Sequence, residues 1–148
     1  MRRVPTIQLA FSSAPQYVRT ARLIGVAMAR RAGVPDERLY EVRLAIGEAC
    51  GRAVARHQRH GVADLVRVEM SDDGPYSVRV LDACGAEAAP PAADAGEEEA
   101  ADADRMGEAL LAALVDDLSV HNSPAGSEVR MVWPVRRRLS GVRGGPVG

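Results

Sequence analysis

Apolar positions in residues 4–11 alternate with polar ones and are partly β-branched, which predicts a first strand. Ser12, Ser13, Ala14 and Pro15 then form a helix entrance, with Ser13 as the expected cap and Pro15 in the first turn. Val18, Ala21, Ile24, Gly25, Met28 and Ala32 recur at helical spacing up to a stop at Gly33. A second helix follows from Leu39, Val42, Ile46, Ala49, Ala53 and Val54, running to about His57. Residues 63–70 and 76–81 alternate around the turn sequence Ser71-Asp72-Asp73-Gly74-Pro75, the pattern of a β-hairpin. Residues 83–104 are rich in Ala, Asp, Glu and Pro with no large apolar side chain, and read as a mobile acidic loop. Met106, Leu110, Leu111 and Leu114 predict a third helix over 105–115, and residues 118–121 and 127–134 a closing hairpin across 122–126.

That order, β-α-α-β-β-loop-α-β-β, implies an α+β fold: a two-layer sandwich of a mixed, mostly antiparallel sheet with helices on one face. The expected domain covers residues 1–135 with the acidic loop inside it, and residues 136–148 form a basic, Gly-rich, disordered tail. At 148 residues the chain suits one domain with a core of its own.

Composition narrows the chemistry. The 19 basic residues are all Arg, so mechanisms built on a Lys, such as a P-loop or a Schiff base, are excluded. Residues 85–104 carry seven carboxylates and no base, whereas Arg136, Arg137, Arg138 and Arg143 make the end basic. One Trp, one Phe and three Tyr do not supply the aromatic and basic face of a nucleic-acid binder. No apolar run is long enough to span a bilayer, and no signal-like segment follows Met1-Arg2-Arg3, so no membrane contact and a cytoplasmic location are expected. Cys50 and Cys84 have no metal-ligand or disulfide spacing, His57 and His60 read as turn histidines, and no metal ligand set is expected.

The chemistry concentrates in Leu44-Ala45-Ile46-Gly47-Glu48-Ala49-Cys50-Gly51-Arg52-Ala53-Val54-Ala55-Arg56-His57. Glu48 and Arg52 are four apart and share one helix face. The stretch resembles the ATP-site helix of the GHKL (histidine-kinase-like) ATPases, in particular the small bacterial anti-sigma-factor serine-kinase branch, where the run is roughly LAxxEAxxNAVxH. Residues 15–22, the strand ending at Asp82, and residues 114–118 with 124–129 resemble the same branch in the same order. The resemblance implies the Bergerat-type histidine-kinase-like fold over about residues 6–134. It implies Glu48 as catalytic base and Asp82 as the adenine reader. Gly85 and Gly107 are the glycines left to approach a nucleotide.

The departures fall together. Arg52 stands where the branch has a Mg²⁺-ligating Asn, and a guanidinium has no acceptor to offer a metal. Cys84 and Ala86 fill the glycine positions after Asp82, and Arg105-Met106-Gly107-Glu108 replaces a glycine-rich phosphate turn with one that carries a carboxylate. Two readings of Arg52 stay open: a surface pair with Glu48, and a direct phosphate contact that replaces the metal. The expectation is therefore an anti-sigma-factor-like regulator of transcription that binds a sigma factor and/or an anti-anti-sigma factor, with ATP doubtful and Mg²⁺ disfavoured by Arg52. The alternative is an active ATP-dependent serine-protein kinase acting on the anti-anti-sigma factor. The resemblance also implies a homodimer, often formed through the first strand and helix.

Overall fold

A computed structural model describes residues 5–85 and 95–136. The elements are β1 (Ile7–Phe11), α1 (Pro15–Ala32), a single 3₁₀ turn (Asp36–Arg38), α2 (Leu39–His60), β2 (Val66–Ser71), β3 (Tyr76–Asp82), α3 (Ala95–Leu114), β4 (Asp117–Ser123) and β5 (Gly126–Trp133). The five strands form one sheet in the order β1-β2-β3-β5-β4. Every pair among the described residues is antiparallel, so the expected mixed sheet is antiparallel throughout them.

The register puts one apolar face on the helices. Val68 lies opposite Leu9 and Val80, Met70 opposite Val78, and Tyr76 opposite Trp133. On the other face Glu69, Arg79 and Arg130 line up in register, and Arg79 forms ion pairs with Glu69 and Glu128. A sheet that is apolar on one face only is covered on one face only, which is why the domain has two layers. α2 supplies the central cover, with Val42, Ala45, Ile46, Ala49, Cys50, Ala53 and Val54 buried at helical spacing. Each large side chain buried there contributes about 2 kcal/mol. Where polar groups enter this core they are bonded: the Tyr76 hydroxyl donates to the Gly25 carbonyl at 2.8 Å, and Trp133 Nε1 donates to Leu114 O at 3.0 Å.

Helix α1 stops where expected, at Gly33, whose φ of 102° suits glycine and whose N–H reaches Ala29 O and Arg30 O. Its start differs from expectation. The cap position is Ala14 with no side-chain cap bond, because Ser13 turns inward to His57.

The acidic segment also departs from the loop reading. Residues 95–104 continue α3, which is 20 residues long, and residues 86–94 lie outside the described residues. Ala and Glu are strong helix formers, and Glu98 and Glu99 lie near the N-terminal end of the helix, where its dipole favours negative charge. On α3 the inward residues are Gly107, Leu111 and, in part, Leu114, while Met106 and Leu110 are exposed. At the other end Arg136 docks on the body of the domain. Its N–H bonds Gly33 O at 2.9 Å and its guanidinium pairs with Glu37. The rest of the expected tail, residues 137–148, lies outside the described residues.

Candidate functional site

Helix α2 carries Glu48, Arg52 and Arg56 at intervals of four, so one stripe of the helix holds all three. The end of β3 brings Asp82 to this stripe, and the β3–β5 register places Ser127 opposite Asp82. α3 closes the arrangement from the outside. Together with β4 these elements surround a cavity of about 200 Å³ whose polar lining is Arg52, Arg56, Asp82, Asp104, Glu108, Asn122 and Ser127.

Asp82 is nearly buried, and its carboxylate is already in use. Oδ1 accepts the N–H of Cys84 at 2.9 Å and that of Ser127 at 3.1 Å, while Oδ2 lies 3.4 Å from Arg56 Nη1. These bonds tie the end of β3 to the chain that follows it and to β5. Cys84 is buried beside this carboxylate. Desolvation, then the Asp82 charge, raises its thiol above the ordinary value, so it stays protonated at neutral pH.

His57 is fully buried with both ring nitrogens engaged. Nε2 accepts the N–H of Ala83 at 2.9 Å, so the ring proton sits on Nδ1, which faces Ser13 Oγ at 2.8 Å and Asp64 O at 3.0 Å. The turn-histidine reading is corrected: His57 joins the start of α1, the end of α2 and the end of β3. His57, Asp82 and Cys84 bring one N, O and S atom within 4.8 Å of one another. The Nε2 lone pair that a metal would need is bonded to Ala83, and Arg56 faces the carboxylate.

The two glycines expected to approach a nucleotide serve other contacts. A Cβ on Gly85 would lie 2.1 Å from the Pro124 carbonyl oxygen, so Gly85 lets the chain after β3 pass against the β4–β5 turn. Gly107 sits inside α3, where its N–H is spent on the helix. A Cβ there would lie 2.2 Å from Glu48 Oε1 and 2.9 Å from Arg52 Cδ, so Gly107 lets α3 press on α2. Glu48 lies beneath that contact, outside the cavity lining.

Arg52 does not form the surface pair with Glu48. Among the described residues its ion pair is with Asp104, at 3.6 Å from Nε. Its Nε and Nη1 are buried and have no hydrogen-bond partner among these residues. Sequence reasoning missed Arg56, Asp104, Asn122 and Ser127. The four-residue interval from Arg52 could have found Arg56, whereas the others reach the site only through strand register and helix docking.

A second cavity, of about 400 Å³, lies between β1 and α1 and is lined by Leu9, Phe11, Tyr17, Ala21 and Leu65. It lies beside the edge strand β1 and is apolar in character. Among the described residues no helix is long and apolar enough to cross a membrane.

The sequence profile of the Histidine kinase-like ATPase domain matches residues 11–133. No curated protein matches the chain. Among solved structures, the RsbU and RsbW domains of Rv1364c from Mycobacterium tuberculosis superpose with a TM-score of 0.58 at 20% identity. The match covers 93% of this chain and 35% of that one, and shows a shared fold.

Proposed function

Since the chain belongs to the histidine kinase-like ATPase domain family, matched over residues 11–133, we propose that it is an anti-sigma-factor-like regulator of transcription. It binds a sigma factor and/or an anti-anti-sigma factor, and its metal-dependent nucleotide binding and kinase activity are lost or weakened. One observation carries the second half of this reading. α3 rests on α2 at Gly107, and the residue beneath it at the metal-ligand position of the family is Arg52.

The residues present do not fit a Mg²⁺ ion. Arg52 offers no lone pair and brings a fixed positive charge; of the cavity's carboxylates, Asp104 is paired with Arg52 and Asp82 is held by two backbone N–H groups and Arg56, which leaves Glu108 alone. Phosphoryl transfer leans on metal and preorganised charge, so a chain without the metal ligand loses most of its rate. The partner-binding half is supported by the fold shared with a structure titled for an RsbW domain. The apolar groove between β1 and α1, next to an edge strand, supports a homodimer through the first strand and helix. The absence of a membrane-crossing helix among the described residues is consistent with a cytoplasmic place for this activity.

The active-kinase reading keeps one argument, the presence of Glu48 and Asp82 on neighbouring elements. Calorimetric titration of Mg-ATP separates the two. The regulator reading expects no Mg²⁺-dependent binding by the natural chain, with its appearance in Arg52→Asn if position 52 alone spoils the site. Mg²⁺-dependent binding by the natural chain, with phosphate transfer to a serine of a co-purified partner, would establish the kinase. Affinity purification from the native cell followed by mass spectrometry tests the partner. Recovery of a sigma factor or its antagonist supports the regulator, and recovery of neither points to a scaffold.

A further inference from the structure

We infer that the cavity between α2, β3, β5 and α3 is a metal-independent site for a phosphate group. Arg52 is its main ligand, Arg56 its second, and Asp104 the internal carboxylate that faces Arg52 until the anion arrives. The inference deepens the reading above and rests on it, because both require position 52 to hold no metal.

The strongest observation is the state of Arg52. Its side chain is 15% exposed, its Nε and Nη1 are buried, and neither has a hydrogen-bond partner among the described residues. Asp104 at 3.6 Å offsets the charge but lies beyond hydrogen-bond reach. Buried charged donors left unbonded are costly and rare, and they mark a place where a further acceptor fits. The cavity beside them supplies the room.

Arg56 follows Arg52 by four residues, so both guanidinium groups project from one face of α2 into the same cavity. Its own contacts are long: 3.4 Å to Asp82 Oδ2 and 3.4 Å to Cys84 O. A guanidinium carries five donors in a planar fork that matches phosphate oxygens two at a time, so both residues keep donors for a ligand. Across the cavity Asn122 and Ser127 add neutral polar groups.

The carboxylates decide how the site opens. Asp82 is committed to two backbone N–H groups and Arg56, so it is largely neutralised. Asp104 and Glu108 both belong to α3, and a phosphate that enters must move them away. Anion binding therefore turns these two side chains out of the cavity. With them turned aside, a cavity of about 200 Å³ has room for inorganic phosphate. A nucleotide needs a site nearer the usual range of roughly 300–1,000 Å³, and so needs α3 displaced.

The test is calorimetric titration of the full chain with inorganic phosphate and, separately, with ADP, each in chelator and again in Mg²⁺. The expected result is binding in chelator that Mg²⁺ does not strengthen and added NaCl weakens. Arg52→Gln should lower that affinity by about tenfold or more, the value of a charge-assisted bond. Asp104→Asn, which leaves Arg52 in place, should raise it and should speed hydrogen exchange in α3. Equal or tighter binding of phosphate than ADP identifies a site for the free anion, and tighter ADP a nucleotide site; either supports the inference. No binding of either ligand, or binding that both variants leave unchanged, overturns the inference and leaves the regulator reading standing. Binding only in the presence of Mg²⁺ overturns both.

Discussion

His57 and Arg52 lie little more than one turn apart on α2, and the two buried polar groups are treated in opposite ways. Each nitrogen of His57 has a partner: Ala83 on one side, Ser13 and Asp64 on the other. Arg52 keeps two buried donors with none among the described residues. A fully bonded buried group contributes to stability and fixes one arrangement of the chain around it. An unbonded one costs stability and calls for an explanation, which at Arg52 is the anion inferred above. The contrast separates the structural end of α2 from the part of it that waits for a ligand.

The sharpest way to break this comparison is His57→Ala. It removes three contacts at once and leaves the Ala83 N–H unsatisfied in the interior. We expect a loss of about 3 kcal/mol in urea unfolding and a melting point lower by roughly 6–12 °C. A loss of only a few tenths of a kcal/mol would show that water replaces the ring and that the network is dispensable.

Gly85→Ala acts on the same junction from the opposite side. Its Cβ would meet the backbone oxygen of Pro124 at 2.1 Å, which cannot swing away as a side chain does. A destabilisation of about 2 kcal/mol is expected. Because the contact is within the chain, ligand affinity in the cavity should be far less affected than stability.

Arg52→Met should act in the opposite direction. Replacing buried, unbonded donors by an apolar chain of similar length should stabilise the ligand-free protein by about 1 kcal/mol. Asp104, about a third exposed, remains solvated after losing its partner. A clear destabilisation by this substitution would mean that the Arg52–Asp104 pair holds α3 in place and is structural after all.

The smallest effect concerns Cys50, also on α2. Burial pushes its thiol up to about 12 from the ordinary 9.0. The folded state thus holds the proton where the unfolded state releases it. The associated stability is complete below pH 9.0 and declines as pH rises toward about 12. At pH 8, Ellman's reagent should modify Cys50 far more slowly in the native protein than in denaturant. Equal rates would show that the α2 core opens readily.

Element order and the two-layer sandwich were set by the sequence alone. Those features rest on local periodicity: a helix stripe every three to four residues and strand alternation every second, which survive whatever the rest of the chain does. Asp82 and Arg52 stood out through the family resemblance and not through periodicity, which makes the one a strand-end carboxylate and the other a helix-face cation. The helical state of residues 95–104 was also written locally, in Ala and Glu propensities, but it is hidden by an argument from the missing apolar side chains. Other features were decided only in three dimensions. Arg52 faces Asp104 and leaves Glu48 unpaired with it because α3 docks on α2 through Gly107. Gly85 meets Pro124, Ser127 bonds Asp82, and Ser13 abandons its cap for His57 because the β3–β5 register and sheet closure bring distant residues together. Whether a polar group is satisfied depends on such neighbours, and no spacing along the chain encodes them.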